Sequence, residues 1–354
     1  MFSPPEHDRI CRRSSRNDFE IWFLLPESYQ IAYAELYAGD MDRIYIRGRR
    51  GRWRRFPPPH QAFQLSATIA RLEALVSMSI HRCLLRGGLP VEVASLPWLR
   101  VLSLSDNAIT GVIPPELSNL RHLERLELDH NQLEGTVPAL TNLQLMRLDL
   151  SHNRLIGDIP ASLGLLENLF SLKLNDNELA GGIPGSLSNL RLLRTLSLSG
   201  NKLTGNIPAS LLRMQNLMDL NLAENQLSGL LPIECSANLQ TLSLNGNQLE
   251  GHIPVEWARM RRMKHLALQS NQLEGTLPIE FAAGMPGLLH FDVSDNRLSG
   301  KIPTEYASWR SLERLNVGQN TRMKGFVPRG HRMWNAVHLQ ERVALFCNIF
   351  SSLI

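Results

Sequence analysis

Cysteine is scarce in this sequence, with four residues in 354. They are Cys11, Cys83, Cys235 and Cys347, and no two of them are spaced as a local disulfide clip. The chain also lacks an Asn-x-Ser/Thr glycosylation site and a continuous apolar stretch near its start. These features argue against a disulfide-rich secreted scaffold. They predict an intracellular, reduced protein, or a cell-surface one if the true N-terminus is missing.

Catalytic signatures are missing as well. The sequence contains no P-loop, no G-x-G-x-x-G, no H-E-x-x-H and no nucleophile elbow. We therefore expect no enzyme and no cofactor.

An excess of one charge is confined to one segment. The formal net charge is +4, but residues 61–330 hold 24 Lys and Arg against 24 Asp and Glu. Residues 43–56, RIYIRGRRGRWRRF, hold seven arginines with Tyr45, Trp53 and Phe56 among them. Such a segment could bind phosphates and stack on bases, or serve in nuclear import. A solvated, flexible leader or a misassigned gene start is the alternative that we favour, which makes nucleic acid the minority hypothesis.

A nine-residue frame recurs through most of the chain. The frame is L-x-x-L-x-L-x-x-N, as in LRVLSLSDN at residues 99–107, and its closing asparagines are 22 to 25 residues apart. These asparagines are Asn107, Asn131, Asn153, Asn177, Asn201, Asn225, Asn247, Asn271, Asn296 and Asn320. An eleventh copy, LVSMSIHRC at residues 75–83, has Cys83 in the Asn place. After each copy come a Gly, a spacer, an aliphatic residue and a Pro, as in GVIP at residues 111–114.

The frame predicts a stacked parallel sheet. Alternation at its centre is the signal of a strand with one buried face, so Leu102 and Leu104 point inward while Ser103 and Ser105 point outward. One repeat is too small to bury its apolar face alone, so neighbouring repeats must stack, with strands about 4.8 Å apart. The Gly allows a turn with positive φ, and the Pro fixes φ in the return path, the segment that leads from the end of one strand back to the start of the next.

The ten closing asparagines predict a structural ladder, which is not a binding motif. Each Asn stands where the chain leaves the sheet and its backbone becomes buried. A short amide can hydrogen-bond buried N–H and C=O groups there. We expect these groups to belong to its own and to the following repeat.

The full unit, L-x-x-L-x-L-x-x-N-x-L-x-G-x-I-P, resembles the plant-type leucine-rich repeat of receptor-like kinases, receptor-like proteins and polygalacturonase-inhibiting proteins, over residues 75–328. The resemblance implies an α/β repeat solenoid, a right-handed superhelix or horseshoe with a concave parallel β-sheet and an irregular or short 3-10 convex side. It also implies a non-enzymatic scaffold that binds a protein or peptide ligand on the concave face. Receptor-like signalling, or a fragment of a cell-surface receptor or secreted enzyme inhibitor, would fit this role.

The repeats divide the chain into four segments. Residues 1–60 form an Arg- and Pro-containing, partly disordered segment, and residues 61–74 form a helical N-terminal cap. The array of about eleven repeats occupies residues 75–330, and residues 331–354 form a C-terminal capping segment. The last of these ends in VALFCNIFSSLI, which is too short to span a bilayer. Membrane attachment through it stays an alternative to capping.

The residues at the variable positions of the frame suggest a ligand site. Its first outward position carries Val76, Arg100, Glu124, Met146, Phe170, Arg194, Met218, Gln240, Lys264, Leu289 and Glu313. Met146 and Phe170 are adjacent in this column on an otherwise polar face, as expected of an interface anchor. We predict a ligand site with these two residues, Met218, and a polar rim of Arg147, Asp149, Lys173 and Arg194. The alternative is that the column lies at the sheet's edge and that Phe170 folds over its neighbours.

A metal site is a weaker hypothesis. His130 and His152 occupy one outward column in adjacent repeats, with Asp129 and Asp149 nearby. Two imidazoles one strand apart could share a zinc ion. Solvated histidines on a polar sheet are commoner, so we predict no metal here.

Overall fold

The computed structural model describes residues 63–65, 67–73, 75–141 and 144–324. It also describes four short strands nearer the N-terminus, at Phe19–Glu20, Tyr33–Tyr37, Ile44–Arg47 and Trp53–Phe56. The chain divides into two compact units, Met1–Leu179 and Ala180–Ile354. We describe each unit by itself.

A parallel sheet forms the main layer of the first unit. Neighbouring strands pair in register, so that Leu126 lies beside Leu102 on one side and Leu148 on the other. These leucines are completely buried, which makes one continuous apolar column beneath the sheet. The strands are Tyr33–Tyr37, Ser77–His81, Val101–Ser103, Arg125–Glu127, Arg147–Asp149 and Ser171–Lys173.

The return path of the first unit contains short strands and 3-10 helices. Its strands are Phe63–Gln64, Arg86–Gly87, Ala108–Val112, Gln132–Glu134 and Ile156–Asp158, followed by Glu178–Ala180 across the unit boundary. Its 3-10 helices are Ala67–Arg71, Val91–Ser95, Pro115–Asn119 and Ala161–Leu165. The last three of these helices directly follow the Pro of the repeat, whose fixed φ sets their entry.

The second unit repeats this design. Its main parallel sheet contains Thr195–Ser197, Asp219–Asn221, Thr241–Ser243, His265–Ala267, His290–Asp292 and Arg314–Asn316. Its return path contains the strands Thr204–Gly205, Gln226–Leu230, Gln248–His252, Gln272–Glu274, Ser299–Gly300 and Arg322–Met323. The 3-10 helices Gly185–Asn189, Val255–Arg259 and Thr304–Ser308 and the single α-turns Ala209–Leu212 and Phe281–Gly284 complete it.

Aromatic side chains replace leucines in the core of the last repeats. Phe291 stands in register between Leu266 and Leu315, and its ring lies 6.1 Å from that of Trp309 between centroids. Tyr306 stacks on Trp309 at 4.0 Å, and its hydroxyl donates to the carbonyl of Pro278 at 2.9 Å. Burial raises the pKa of the Tyr306 phenol. This hydroxyl is therefore a satisfied core donor.

The repeating strands and 3-10 turns confirm the predicted leucine-rich-repeat fold class. Residues 61–74, expected as a helical cap, contain a strand and a single 3-10 helix, with Ile69 buried. The capping segment at residues 331–354 lies outside the described residues. Among the described residues, no helix has the length and apolarity needed to cross a bilayer.

One strand of the main sheet was not foreseen. Tyr33–Tyr37 pairs in parallel with Ser77–His81, inside the segment expected to be partly disordered. The register places Ala34 beside Met78 and Leu36 beside Ile80. The only trace of the repeat here is a degenerate frame, I-x-x-A-x-L, at residues 31–36.

The asparagines bond in a regular pattern, shown by Asn131. Its Nδ2 donates to the carbonyls of Leu128 and Asp129 in its own repeat and of Leu104 in the preceding repeat, at 3.0, 3.2 and 3.0 Å. Its Oδ1 accepts the N–H of Ile109, also in the preceding repeat, at 3.0 Å. The same pattern recurs at Asn107, Asn153, Asn177, Asn225, Asn247, Asn271, Asn296 and Asn320.

The direction of this ladder corrects our expectation. We expected partners in the following repeat, whereas the side chains reach the preceding one. The reason is that the backbone N–H of Asn131 itself donates to His152 O in the following repeat, at 3.2 Å. The backbone therefore links each repeat forward, and the side-chain amide links it backward. At Asn201 the side chain bonds Leu198 O and Ser199 O of its own repeat.

The residue before each closing Asn or Cys has a left-handed backbone. Its φ lies between 52° and 66° in all eleven repeats. Only two of these residues are glycines, Gly200 and Gly246, and the others are Arg82, Asp106, His130, His152, Asp176, Glu224, Ser270, Asp295 and Gln319. This conformation costs a residue with a Cβ roughly 1 to 2 kcal/mol. The cost is offset because this conformation lets two consecutive backbone N–H groups donate to carbonyls of the next repeat, as His130 N does to Ser151 O and Asn131 N does to His152 O.

The ladder predicts a large cost for Asn177→Ala. The substitution leaves the N–H of Leu155 and the carbonyls of Leu150 and Leu174 without their side-chain partner. We expect the free energy of unfolding to fall by about 1 to 3 kcal/mol, measured by urea denaturation. Asn168→Ala is the matched control, because the Asn168 amide makes one exposed bond, to Gln144. Equal losses in the two variants would contradict a structural role for the ladder.

Two glycines isolate the effect of backbone conformation. Gly205 has φ +76° and Gly185 does not have a positive φ, yet a Cβ at either position would meet no atom within 4 Å. Gly205→Ala should lower the free energy of unfolding by roughly 1 to 2 kcal/mol from backbone strain alone. Gly185→Ala should leave it unchanged or raise it slightly, because alanine restricts the unfolded chain. Indistinguishable melting temperatures would show that the repeats relax to accommodate the strain.

Candidate functional site

Met146 and Phe170 lie at the N-terminal ends of two neighbouring strands of the main sheet in the first unit. Each immediately precedes a strand, Arg147–Asp149 and Ser171–Lys173 respectively. The ladder of backbone bonds already includes them, since Phe170 N donates to Met146 O at 2.9 Å. Met146 is 44% exposed and Phe170 is half-buried. The column thus lies at the N-terminal ends of these strands and presents apolar surface to solvent.

Arg147 connects this apolar pair to the polar face. Its guanidinium carbon lies 5.7 Å from the centre of the Phe170 ring, in a cation–π arrangement worth about 0.5 to 1 kcal/mol at an exposed site. Its Nη1 donates to Glu127 Oε1 at 3.3 Å. Arg147 therefore holds the Phe170 ring from one side while Glu127 fixes the guanidinium from the other.

Asp149 forms an ion pair with Lys173 and is the more buried of the two residues. The Lys173 Nζ lies 3.1 Å from Asp149 Oδ2, and the other carboxylate oxygen accepts from both the N–H and the hydroxyl of Ser151. Asp149 is only 8% exposed, whereas the Lys173 side chain is 43% exposed. The ammonium group is thus the part of this pair that a ligand can reach, and Asp149 positions it.

Ser103 and His81 resemble a nucleophile and a base, but their hydrogen bonds favour a structural role. Ser103 Oγ lies 3.3 Å from His81 Nε2 and donates to Glu127 Oε2 at 2.7 Å. Because the hydroxyl proton goes to the carboxylate, the imidazole N–H must donate to the hydroxyl. A nucleophilic serine needs the reverse, an imidazole that accepts the hydroxyl proton. Ser103, His81 and Glu127 thus form a partly buried polar network.

His130 and His152 stack face to face without sharing a ligand position. Their ring centroids are 4.0 Å apart with an interplanar angle of 29°. His130 Nδ1 lies 3.1 Å from Asp129 Oδ2, and His152 Nε2 lies 3.3 Å from Asp176 Oδ2. Asp149, which we expected nearby, pairs with Lys173. The described residues contain no group of three or more His, Cys, Asp or Glu that could hold a metal ion.

The remaining two predicted site residues belong to the second unit. Arg194 is exposed and precedes Thr195–Ser197, while Met218 is half-buried and precedes Asp219–Asn221. Met218 N donates to Arg194 O at 2.9 Å, so they occupy adjacent places in the same column. Within the first unit, the structure brings together Met146, Arg147, Asp149, Phe170 and Lys173.

Known proteins share this architecture. Models of the leucine-rich-repeat family match residues 71–133, 144–203 and 238–260. The plant peptide hormone receptor RGFR1, solved in complex with RGF2, is 30% identical over 78% of this chain and 49% of its own, with a TM-score of 0.69. The ectodomain of the membrane receptor kinase GASSHO1/SCHENGEN3 from Arabidopsis thaliana, in complex with CASPARIAN STRIP INTEGRITY FACTOR 2, is 32% identical over 78% of this chain and 37% of its own, with a TM-score of 0.64.

A plant ice-binding protein is also similar. It is 34% identical over 64% of this chain and 73% of its own, with a TM-score of 0.54. The chain is a plant-type leucine-rich-repeat protein. No curated protein has significant similarity to it. This leucine-rich-repeat protein spans about half or less of the two receptor chains.

Two features of the outward face of this leucine-rich-repeat protein were not predicted from its sequence. The first is Glu127, which joins Arg147 to Ser103 and lies 3.8 Å from Arg125. The available signal was Arg125, two residues before it on the same strand, and Arg147, which pairs with Arg125 on the next strand. The second is a histidine pair in the second unit, His265 and His290, one strand apart in register. Burial lowers the pKa of His265, with His290 and Lys264 acting in the same direction.

Proposed function

We propose that this chain is a non-enzymatic recognition module that binds a peptide or protein segment on the outward face of its main sheet. In the first unit, Phe170 and Met146 form the apolar anchor, with Arg147 and Lys173 as its polar rim. The observation that carries the proposal is an aromatic and a thioether side by side on a polar face, the aromatic held in place by Arg147. Similarity to a plant peptide hormone receptor solved with RGF2, and to a receptor kinase ectodomain solved with CASPARIAN STRIP INTEGRITY FACTOR 2, supports it.

The spacing of the strands suits an extended peptide that runs across them. Strands lie about 4.8 Å apart, and an extended chain rises about 3.3 Å per residue. The five strands from Ser77–His81 to Ser171–Lys173 therefore span about 19 Å, the length of about six peptide residues. Side chains on one side of such a peptide recur at about 6.6 Å. One of them can contact Phe170 while its neighbours meet polar side chains.

The charges of this face are mostly neutralised in pairs. Arg100 lies 3.4 Å from Glu124, Arg147 lies 3.3 Å from Glu127, and Lys173 is held by Asp149. A surface that binds nucleic acid needs free cations to replace the counterions of the phosphates. The paired charges therefore favour a ligand recognised by apolar contact and hydrogen bonds. The nucleic-acid alternative would have to rest on residues 43–56.

A display library of random peptides, selected on the full-length protein, tests the anchor. We expect peptides with a large apolar residue to be enriched, and Phe170→Ala to weaken their binding at least about five-fold, or about 1 kcal/mol. The melting temperature should be nearly unchanged because Phe170 lies at the N-terminal end of a strand. Isothermal titration calorimetry measures the affinities, and scanning calorimetry measures the stability.

Leu165→Ala is the matched control. Leu165 is 65% exposed on the 3-10 helix Ala161–Leu165, so its truncation removes exposed apolar surface away from the sheet. It should leave peptide affinity unchanged. Equal weakening by both variants would point to nonspecific hydrophobic binding. A Phe170→Ala variant that loses stability but keeps its affinity per folded molecule would make Phe170 core packing.

We further propose an intracellular location. The sequence has only four cysteines, no two of them spaced as a local disulfide clip, and it carries no Asn-x-Ser/Thr site, which suits a reducing compartment. A tagged chain expressed in plant cells should thus resist protease added outside intact cells. Digestion under those conditions would instead place the array at the cell surface, the setting of the receptor ectodomains that it resembles.

A further inference from the structure

Two histidines and a glutamate form a connected group on the outward face of the second unit. His265 and His290 begin the neighbouring strands His265–Ala267 and His290–Asp292, and they are paired in register. Glu313 immediately precedes the next strand, Arg314–Asn316. The three side chains therefore come from three consecutive repeats. His290, in the middle, is 46% exposed and Glu313 is 66% exposed.

The two imidazoles meet through their nitrogens. His265 Nδ1 lies 3.1 Å from His290 Nδ1, and the rings stand edge to face, with an interplanar angle of 70° and centroids 4.7 Å apart. On its far side, His290 Nε2 lies 3.2 Å from Glu313 Oε2. This differs from the stacked pair in the first unit, whose rings meet by their faces.

These contacts require one proton between the two Nδ1 atoms. The Glu313 carboxylate can only accept, so His290 Nε2 carries a proton and donates it. If His290 is neutral, its Nδ1 is a bare lone pair and His265 Nδ1–H donates to it. If His290 is charged, its Nδ1–H donates to a bare His265 Nδ1. In both cases a single proton is held between two nitrogen lone pairs.

A transition-metal ion can displace that proton, which moves through solvent to His265 Nε2 when His290 is neutral and is released to solvent when His290 is charged, so that both Nδ1 lone pairs are left for the ion. Imidazole nitrogens bind Zn²⁺ at about 2.0 to 2.1 Å, so two of them on one ion lie about 2.9 Å apart at a right angle and about 3.3 Å apart at the tetrahedral angle. The 3.1 Å separation falls between these values. We propose that His265 and His290 bind a transition-metal ion such as Zn²⁺ through their Nδ1 atoms, with Glu313 orienting His290.

Glu313 gives this pair the support that metal-binding histidines usually have. A ligating histidine commonly donates its other N–H to a carboxylate, which fixes the tautomer and makes the ligating nitrogen more basic. His290 has this arrangement already. Two protein nitrogens leave the remaining coordination positions of the ion to water or to a donor atom of a bound partner. Because these positions face outward, the ion would add a Lewis-acidic contact to this part of the sheet.

Titration of the full-length protein with ZnCl₂ tests the proposal. His265→Ala and His290→Ala should each weaken Zn²⁺ binding at least about ten-fold, and Glu313→Gln should weaken it by roughly ten-fold, as loss of a supporting carboxylate does. Isothermal titration calorimetry measures binding. A rise in melting temperature with Zn²⁺, reversed by EDTA, gives an independent readout, since a ligand that binds the folded state stabilises it.

The histidine pair of the first unit supplies the matched control. A His130→Ala/His152→Ala double variant also removes two adjacent imidazoles, but their nitrogens do not converge. It should keep the Zn²⁺ affinity and the EDTA-reversible stabilisation. The proposal is wrong if wild type shows no saturable Zn²⁺ binding, if His290→Ala titrates like wild type, or if the control variant abolishes binding. Should an alanine variant melt lower than wild type in EDTA, Glu313→Gln, which keeps both imidazoles, decides the outcome.

Discussion

A buried backbone needs partners for every N–H and C=O, and this need is sharpest where each strand of the main sheet ends. There the chain turns out of the ladder of strand bonds while it is still covered by neighbouring repeats. The closing asparagine meets the need with one amide, which bonds two carbonyls of its own repeat and a carbonyl and an N–H of the preceding repeat. The leucine columns supply the apolar burial, but they leave the position of each turn undetermined. The asparagine fixes it, and the outward side chains take their places from that fixed register.

Much of this could be predicted from the sequence because the frame carries two independent signals. Alternation of leucines gave the strand, and the spacing of Asn, Gly and Pro gave the corner and the return path. The left-handed residue before each asparagine was not predicted, since glycine marks it in only two repeats and polar residues of several types occupy the rest. The strand Tyr33–Tyr37 was missed for a related reason: Ala34 stands where leucine is expected, and the frame there lacks its asparagine.

The candidate site was harder to predict than the fold, because its geometry depends on side chains that the repeat leaves free. The column that carries Met146 and Phe170 was identified from the sequence, but the roles of the charged residues beside it are distinguished only by the structure. Asp149, expected on the rim, is buried beneath Lys173, and Glu127 orders Arg147 and Ser103 together. Position in the frame specifies which side of the sheet a residue occupies. It does not specify which of two adjacent charges faces solvent, since that depends on side-chain length and on the partners in neighbouring repeats.

The backward reach of the asparagine gives the array a polarity. A repeat obtains the acceptor for a buried N–H from the repeat that follows it, while its own asparagine serves the repeat before it. Removing a repeat from the C-terminal side thus takes the asparagine acceptor away from an N–H of the repeat that remains, whereas removal from the N-terminal side leaves an asparagine amide without its partners in the preceding repeat. The buried hydrogen bonds of one repeat are therefore complete only when the following repeat is in place.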